Sequence, residues 1–352
     1  MNTFVNDLWD YLKEQTAKGR KVVLYGTGNG ADKIIAVLEE RGIPVDGIFA
    51  SPGFVRDRLF HGMKVRSFDD LFSEFGKDMI VLMCFGSSRP DVLSYVDEIS
   101  SKCELYAPDV PVYGNNLFDI GFYNAHEDEL SRVRQILSDD LSVRTLDDVI
   151  SARLTGDIKY LKDCEVSIPD ADSLIKPSAS GLFIDLGAYN GDTVNRFSKV
   201  TGITGIVAVE PDRRNMRKLR ENTAALPIDI EYVQAFISDK DGTAFTDRNL
   251  GRGTSLDKDG TAEVSTVTID GLSGGHPVSF IKFDVEGAER PALEGGAETI
   301  AKYKPVMCIA CYHRSEDLFA LPSKVLELNP GYRVLMRHTP SIPAWDTCFY
   351  FM

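Results

Sequence analysis

The chain lacks the features that tie a protein to a membrane, an oxidising compartment or a nucleic acid. Crossing a bilayer takes roughly 20 consecutive apolar residues, and the longest apolar runs, such as Met79–Phe85, are far shorter. No membrane span is expected. The N-terminal stretch MNTFVNDLWDYLKEQTAK puts acidic and polar residues where a secretory leader needs an apolar core. Cysteines are few and scattered, at 84, 103, 164, 308, 311 and 348, a pattern that fits reduced thiols and a cytoplasmic location. Cys308-Ile-Ala-Cys311 has the C-x-x-C spacing, but it sits in an apolar run after Pro305 and no second pair completes a metal cage. It reads as a buried strand. Basic residues are also in short supply: 39 Lys and Arg against 53 Asp and Glu give a net charge of −14. Such a chain repels phosphate backbones, so no nucleic-acid partner is expected. The one basic cluster, Arg213, Arg214, Arg217, Lys218 and Arg220, falls at helical spacing and reads as a solvated helix face. There is no low-complexity tract.

What is present is ordinary globular material. A chain of 352 residues with 43% hydrophobic and 26% charged residues can bury a sizeable core, and its length suggests two domains. Three regions are expected. Residues 1–107 alternate strand and helix (KVVLYGTGNGADKIIAVLEERGIPVDGIF, then DMIVLMCFG), the mark of a parallel α/β domain. Residues 108–176 take up a helical period (Leu130, Val133, Ile136, Leu137, Leu141, then Leu146, Val149, Ile150, Leu154) and read as a mostly helical connector. Residues 177–352 return to α/β. Their strands are expected at LFIDL, GIVAVE, IEYVQAFISD, FIKFD and PVMCIACYH, and YRVLMRH and TCFYFM form a terminal hairpin.

The chemistry gathers at strand ends in this last region. Asp185-Leu-Gly187-Ala188-Tyr189-Asn190-Gly191-Asp192-Thr193 follows an apolar strand and opens a helix. Its glycines permit a sharp turn and close approach of a ligand. Free amides at the helix start favour a carboxylate, and Asp192 or Thr193 can cap that helix. An acid at the strand end, Asp185, can meet an ammonium group. Together these suit the methionine part of S-adenosyl-L-methionine (SAM). Glu210-Pro211-Asp212 ends the next strand, 23 residues after Gly187. An acid about 20 residues beyond the glycine turn can hold both ribose hydroxyls. A third carboxylate, Asp284 of Ile281-Lys282-Phe283-Asp284-Val285-Glu286-Gly287-Ala288-Glu289, falls at the mouth of the fourth strand. Asp185, Glu210 and Asp284 should therefore face one crevice.

DLGAYNGDT, AVEPD, TVTIDGL and FIKFDVEGAERPALEGGAETI, in this order over about residues 181–312, resemble the FkbM family of SAM-dependent methyltransferases. The resemblance implies a class I Rossmann-like methyltransferase fold with a seven-stranded sheet, SAM as cofactor, and a hydroxyl acceptor on a sugar or natural product. By that similarity Asp185, Gly187, Ala188, Asn190, Gly191 and Thr193 line the methionine end, with Tyr189 and Asp192 in the same turn. Glu210, with Pro211 behind it, holds the ribose. Gln234 and Ala235 lie near the adenine. A sugar, glycan or related small molecule is then the expected partner.

A hydroxyl acceptor needs a base. Asp284, His313 at the end of the fifth strand and His338 in the sixth are the candidates, since a histidine near neutral pH suits proton transfer. Asp284 with Glu286 and Glu289 would also suit magnesium or calcium, but Glu286 equally suits a cap for the turn before Pro291, and no metal site is assigned. Arg248–Gly260, Tyr312–Leu321 and Thr339–Asp346 are the loops expected to choose the acceptor.

The N-terminal turn, Gly26-Thr-Gly28-Asn-Gly30-Ala31, fits G-x-G-x-x-A, but the acid expected after the next strand is replaced by Ala50-Ser51, which argues against a dinucleotide. Its layout, with the later HGMKVRSFDDL, is similar to the small Rossmann-like domain preceding sugar acyltransferases, which implies a sugar nucleotide as ligand. A structural or homodimerising role suits it equally. Two other readings follow for the whole chain: a nucleotide-dependent oxidoreductase or epimerase working through this turn, and a non-catalytic SAM-fold binding module.

Overall fold

The computed structural model describes residues 4–55, 59–246 and 262–352. The Arg248–Gly260 loop, expected to help choose the acceptor, lies outside them. The N-terminal sheet is built from β1 (Val22–Tyr25), β2 (Gly47–Phe49), β3 (Leu59–Phe60), β4 (Met63–Arg66), β5 (Ile80–Met83) and β6 (Glu104–Tyr106), in the order β3-β4-β2-β1-β5-β6. All pairs are parallel except β3 with β4. β1 and β5 are buried at every position because helices cover both faces, which is why they read as unbroken apolar runs.

The C-terminal sheet has seven strands: β7 (Gly181–Leu186), β8 (Ile203–Val209), β9 (Ile230–Val233), β13 (Val278–Phe283), β14 (Val306–Ala310), β15 (Val334–His338) and β16 (Thr347–Phe351). Their order is β15-β16-β14-β13-β7-β8-β9. β16 runs antiparallel to both its neighbours and makes the terminal hairpin with β15; the remaining pairs are parallel. The chain passes outward from β7 to β8 and β9, then returns to the other side of β7 for β13 and β14. This reversal opens a crevice at the carboxyl ends of β7 and β13, where open α/β sheets take their ligands.

One expected element divides. IEYVQAFISD gives β9 and then a separate short strand, β10 (Phe236–Ile237). β10 joins β11 (Gly242–Thr246) and β12 (Ala262–Val267) in a three-stranded sheet of its own. Among the described residues β9 is an edge strand paired only with β8, and none of them holds the chain in the large sheet past Val233 from its free side.

Residues between the sheets are helical, at Ile120–Ala125, Glu127–Ile136, Asp140–Thr155, Ile158–Cys164 and Ile168–Asp172. Leu130, Val133, Leu146, Val149 and Ile150 share one core with Ile184, Phe283, Met307 and Met336 of the large sheet. Burying side chains of this size contributes roughly 1.5–3 kcal/mol each, so these helices are integral to the C-terminal layer. Polar ties add register: Ser142 Oγ accepts from Met336 N–H at 2.9 Å, and Arg337 pairs with Asp139 at 2.6 Å. Cys308 is buried in β14 with Cys311 just beyond it, as a buried strand requires, and all six cysteines are free thiols.

Candidate active site

The turn after β7 is shaped by three left-handed residues. At Gly187 (φ 80°) a Cβ would fall 1.9 Å from the carbonyl oxygen of Asp284, so only glycine lets the ends of β7 and β13 close up. At Gly191 (φ 86°) a Cβ would lie 2.7 Å from Thr223 Cγ2. Tyr189 takes φ 44° without being glycine. Its N–H donates to Glu210 Oε2 at 2.9 Å, which fixes that conformation. Gly191 occupies the cap position of helix Asp192–Phe197 and gives no side-chain bond. Asn190 Oδ1 accepts from Asp192 N–H at 3.2 Å, and Asp192 Oδ1 from Thr193 N–H at 2.8 Å.

Asp185, at the end of β7, is 0% exposed, and neither carboxylate oxygen has a hydrogen-bond partner among the described residues. A buried, unsatisfied carboxylate is costly unless something is meant to meet it. Burial is the main cause that pushes its pKa up to about 7. Across β8, Glu210 is nearly as buried, and burial likewise raises its pKa. Its Oε1 accepts from Asp212 N–H at 2.8 Å, so backbone donors fix the carboxylate at the strand end. Pro211 carries the chain to Asp212, which caps helix Arg213–Thr223 through Arg214 and Asn215 N–H groups, both at 2.9 Å. The basic residues of that helix lie on its exposed side. Gln234 is exposed just past β9, and Ala235 beside it is buried.

Beyond β13 the carboxylates converge on one imidazole. His313, 1% exposed, has Nδ1 2.8 Å from Glu289 Oε1 and Nε2 3.5 Å from Asp284 Oδ1 and 3.7 Å from Glu286 Oε2. Burial alone would lower its pKa, but Glu289, Asp284 and Glu286 raise it to about 9. Glu289 also accepts from Val285 N–H at 3.0 Å, spanning a turn whose Glu286 (φ 53°) and Gly287 (φ 95°) are both left-handed. Glu289 therefore braces the turn before Pro291. Among the described residues no group of three or more His, Cys, Asp or Glu is placed to hold a metal ion.

Asp284 receives Lys282 Nζ at 3.2 Å and the Tyr312 hydroxyl at 2.9 Å. Burial would raise its pKa, but Lys282 and His313 outweigh that and hold it below the ordinary carboxylate value. Lys282 stands in register beside Asp185 on the neighbouring strand. Burial alone would lower its pKa, and the two aspartates raise it instead.

Residues 185–334 match the model of the methyltransferase FkbM domain. These residues form an FkbM methyltransferase domain. The stretch includes Asp185, Glu210, Asp284 and His313 and ends before His338. The chain is 24% identical to the 2-O-methyltransferase NoeI of Sinorhizobium fredii, an alignment covering 44% of this chain and 73% of that protein. Its fold is shared with the crystal structure of methyltransferase FkbM from Methylobacillus flagellatus KT, with a TM-score of 0.71 and 22% identity over 97% of this chain and 93% of that one. The coverage takes in the N-terminal sheet as well. No helix among the described residues is long and apolar enough to cross a membrane.

The expected base residues separate, with Asp284 and His313 inside the matched stretch and His338 beyond it. His338 ends β15, with β16 between it and β14. It is fully buried, its Nδ1 lies 2.9 Å from Thr347 Oγ1, and burial lowers its pKa to about 4. The fold brings His313 to Asp284 but leaves His338 in a different packing environment. No role at Asp284 was expected of Lys282 or Tyr312. Lys282 had one visible signal, a lysine in the otherwise apolar strand FIKF. Tyr312 opens a loop expected to choose the acceptor, but its contact with Asp284 depends on β13 and β14 being neighbours.

The N-terminal turn spends two of its glycines on internal packing. A Cβ at Gly26 would fall 2.6 Å from Phe85 Cδ1, and one at Gly30 would fall 2.2 Å from Cys84 O. Ser51, standing where a ribose-binding acid is expected, bonds the Tyr25 hydroxyl at 2.5 Å.

Proposed function

We propose that the protein is a SAM-dependent O-methyltransferase acting on a hydroxyl of a sugar, glycan or related polyhydroxylated metabolite. The observation that carries this reading is Asp185: a fully buried carboxylate with no hydrogen-bond partner among the described residues, at the end of the central strand and beside a left-handed glycine turn. It has the charge and position to receive an ammonium group. Glu210, one strand over, has the position to receive ribose hydroxyls. The residues present therefore fit the cofactor. When bound, SAM supplies a methyl group carried on a cationic sulfonium. The similarity to a protein named as a 2-O-methyltransferase supports oxygen as the acceptor atom.

The chain's own residues then have two tasks. The first is alignment: the rigid turn and the two strand-end acids fix the donor against the crevice, so that the acceptor meets it in line. The second is the proton. An acceptor oxygen becomes strongly acidic as its bond to methyl forms, so a carboxylate of low pKa suffices to take its proton. Asp284 is that group, kept anionic by Lys282 and His313 and oriented by Tyr312. His313 already carries a proton at neutral pH and serves as a fixed cation.

Thermal unfolding with S-adenosylhomocysteine tests the cofactor reading. At about 100 times Kd the ligand should stabilise the protein by roughly 2.7 kcal/mol. Glu210→Gln should remove most of the shift, measured against its own ligand-free midpoint. No shift at millimolar ligand would sink the proposal.

A further inference from the structure

The two sheets are tied together at their carboxyl ends. Past β5, Ser87 and Ile342 bond backbone to backbone, at 2.8 Å from Ser87 N–H and 3.1 Å in return. Beside them Gly86 makes room for Trp345, whose Cε3 would lie 2.2 Å from a Cβ there. Past β6 the chain crosses to the other sheet as residues 107–118. Lys33, on the helix Asn29–Glu40, gives its ammonium to the carbonyls of Pro111 and Val112, both at 2.7 Å. Further on, the Ser315 hydroxyl donates to Asn116 O at 2.5 Å. Tyr113 stands between these anchors.

Tyr113 meets the candidate active site at three points. Its N–H donates to His313 O at 2.9 Å. Its side chain lies against Gly287, where a Cβ would fall 2.9 Å from Tyr113 Cβ, Cγ and Cδ1 alike. The Arg314 guanidinium carbon sits 4.2 Å from the ring centroid, and Arg314 Nε donates to Gly287 O at 2.9 Å. The ring and the guanidinium thus close over the turn whose Glu286 (φ 53°) and Gly287 (φ 95°) are left-handed. A left-handed glutamate is a conformation that its surroundings must impose. Glu289 braces that turn through Val285 N–H, and Tyr113 with Arg314 braces it at Gly287. What the turn delivers is the Glu286 carboxylate. Its Oε2 lies 3.7 Å from His313 Nε2, the nitrogen that Asp284 Oδ1 reaches at 3.5 Å.

We propose that Tyr113 is a positioning residue of the methyl-transfer site, seating the turn at 285–288 so that Glu286 shares the His313 imidazolium with Asp284, and that Lys33 fixes the segment from which Tyr113 acts. This rests on the methyltransferase reading, with Asp284 as the base. An imidazole that faces several carboxylates keeps its proton. Glu289, Asp284 and Glu286 do this for His313, and buried Asp317 lies within electrostatic reach of it. Held as a cation, His313 in turn keeps Asp284 ionised. Asp284 has further anchors in Lys282 and Tyr312, and Glu289 has one in Val285 N–H. Glu286 is carried to the imidazole by the left-handed turn, and so by what holds that turn. The N-terminal sheet therefore takes part in building the site: Lys33 holds residues 111 and 112, and Tyr113 beside them holds Gly287 and His313.

Nuclear magnetic resonance of the full chain with ¹⁵N-labelled histidine reads the imidazole directly. The chain has five histidines. Single changes His61→Gln, His126→Gln, His276→Gln and His338→Gln assign four signals and leave that of His313. Glu286→Gln and Tyr113→Ala should each lower the His313 midpoint from about 9 by roughly 0.5 in pH or more. The double variant should fall no further than Glu286→Gln alone, because both changes act through one carboxylate. Tyr113→Phe keeps the ring and should titrate as the parent does. Lys33→Met should also lower the midpoint. Losing a nearby cation would by itself raise it, so the sign separates release of the turn from a direct effect of charge. This variant carries the test if Tyr113→Ala misfolds, and lost stability alone does not move a titration within the folded state. An unmoved midpoint in Glu286→Gln, Tyr113→Ala or Lys33→Met, a rise in Lys33→Met, additive falls in the double variant, or a fall in Tyr113→Phe equal to that in Tyr113→Ala would each overturn the inference. Absence of the S-adenosylhomocysteine thermal shift in the parent protein would instead sink the methyltransferase reading and leave the titrations standing.

Discussion

Asp185→Asn should make the protein more stable at pH 8 and abolish the stabilisation by S-adenosylhomocysteine. Asp185 is fully buried, its oxygens have no hydrogen-bond partner among the described residues, and its pKa is pushed up to about 7, chiefly by burial. The folded state therefore binds this proton more tightly than the unfolded chain, where the ordinary value is 3.8. Stability from this group is greatest below that ordinary value. It declines as pH rises and has been lost above about 7, where a charge must be held in a dry site. The asparagine variant carries no such charge. Its advantage at pH 8 should be on the order of 3 kcal/mol and should vanish near pH 4, read as unfolding midpoints across that range. In the parent protein, S-adenosylhomocysteine affinity should rise with pH up to about 7 and then level, because the ammonium needs the ionised carboxylate. A variant that still binds the ligand, or a parent affinity flat from pH 5 to 8, would show that Asp185 does not meet it.

His313→Ala should be among the most destabilising single changes in the FkbM domain, costing about 3–5 kcal/mol, the usual result of removing one partner from a buried charge pair. Glu289, 1% exposed, would lose the cation 2.8 Å away, and the left-handed turn it braces at Glu286 and Gly287 would lose its anchor. The pKa of His313 is raised from 6.5 to about 9. Its stabilising contribution is thus fully present below 6.5 and disappears as pH climbs through about 9. Adding Glu289→Gln to His313→Ala should recover part of the loss, since the stranded charge is then gone, and denaturant titration of the four proteins in the cycle measures this. A fixed cation and a base also differ in their pH profiles. As a fixed cation, His313 keeps Asp284 ionised, so its removal should move the acid limb of the rate profile to higher pH. As a base it would be needed unprotonated, and the parent's rate would rise toward pH 9. A cost below 1 kcal/mol, or that alkaline rise, would contradict the assignment.

The linear order of residues was enough for the backbone scheme of the C-terminal half. Strands with apolar runs, the glycine turn at 187–191 and acids at strand ends are local patterns, written in neighbouring residues with period two or at fixed offsets, and they are found where those patterns lie. The N-terminal parallel sheet was legible for the same reason, and Ala50-Ser51 already argued against a dinucleotide there. Tertiary structure decided whatever depends on which strands adjoin. Nothing local shows that Lys282 would stand beside Asp185, or that His313, 29 residues beyond Asp284, would gather its loop; both follow from β7, β13 and β14 being neighbours. The departure of β10 from the large sheet depends on β12, which lies further along the chain. The meeting of Gly86 with Trp345 joins residues more than 250 positions apart through the packing of two separate sheets. Periodicity reports which face of an element is apolar, and only the assembled fold reports what that face meets.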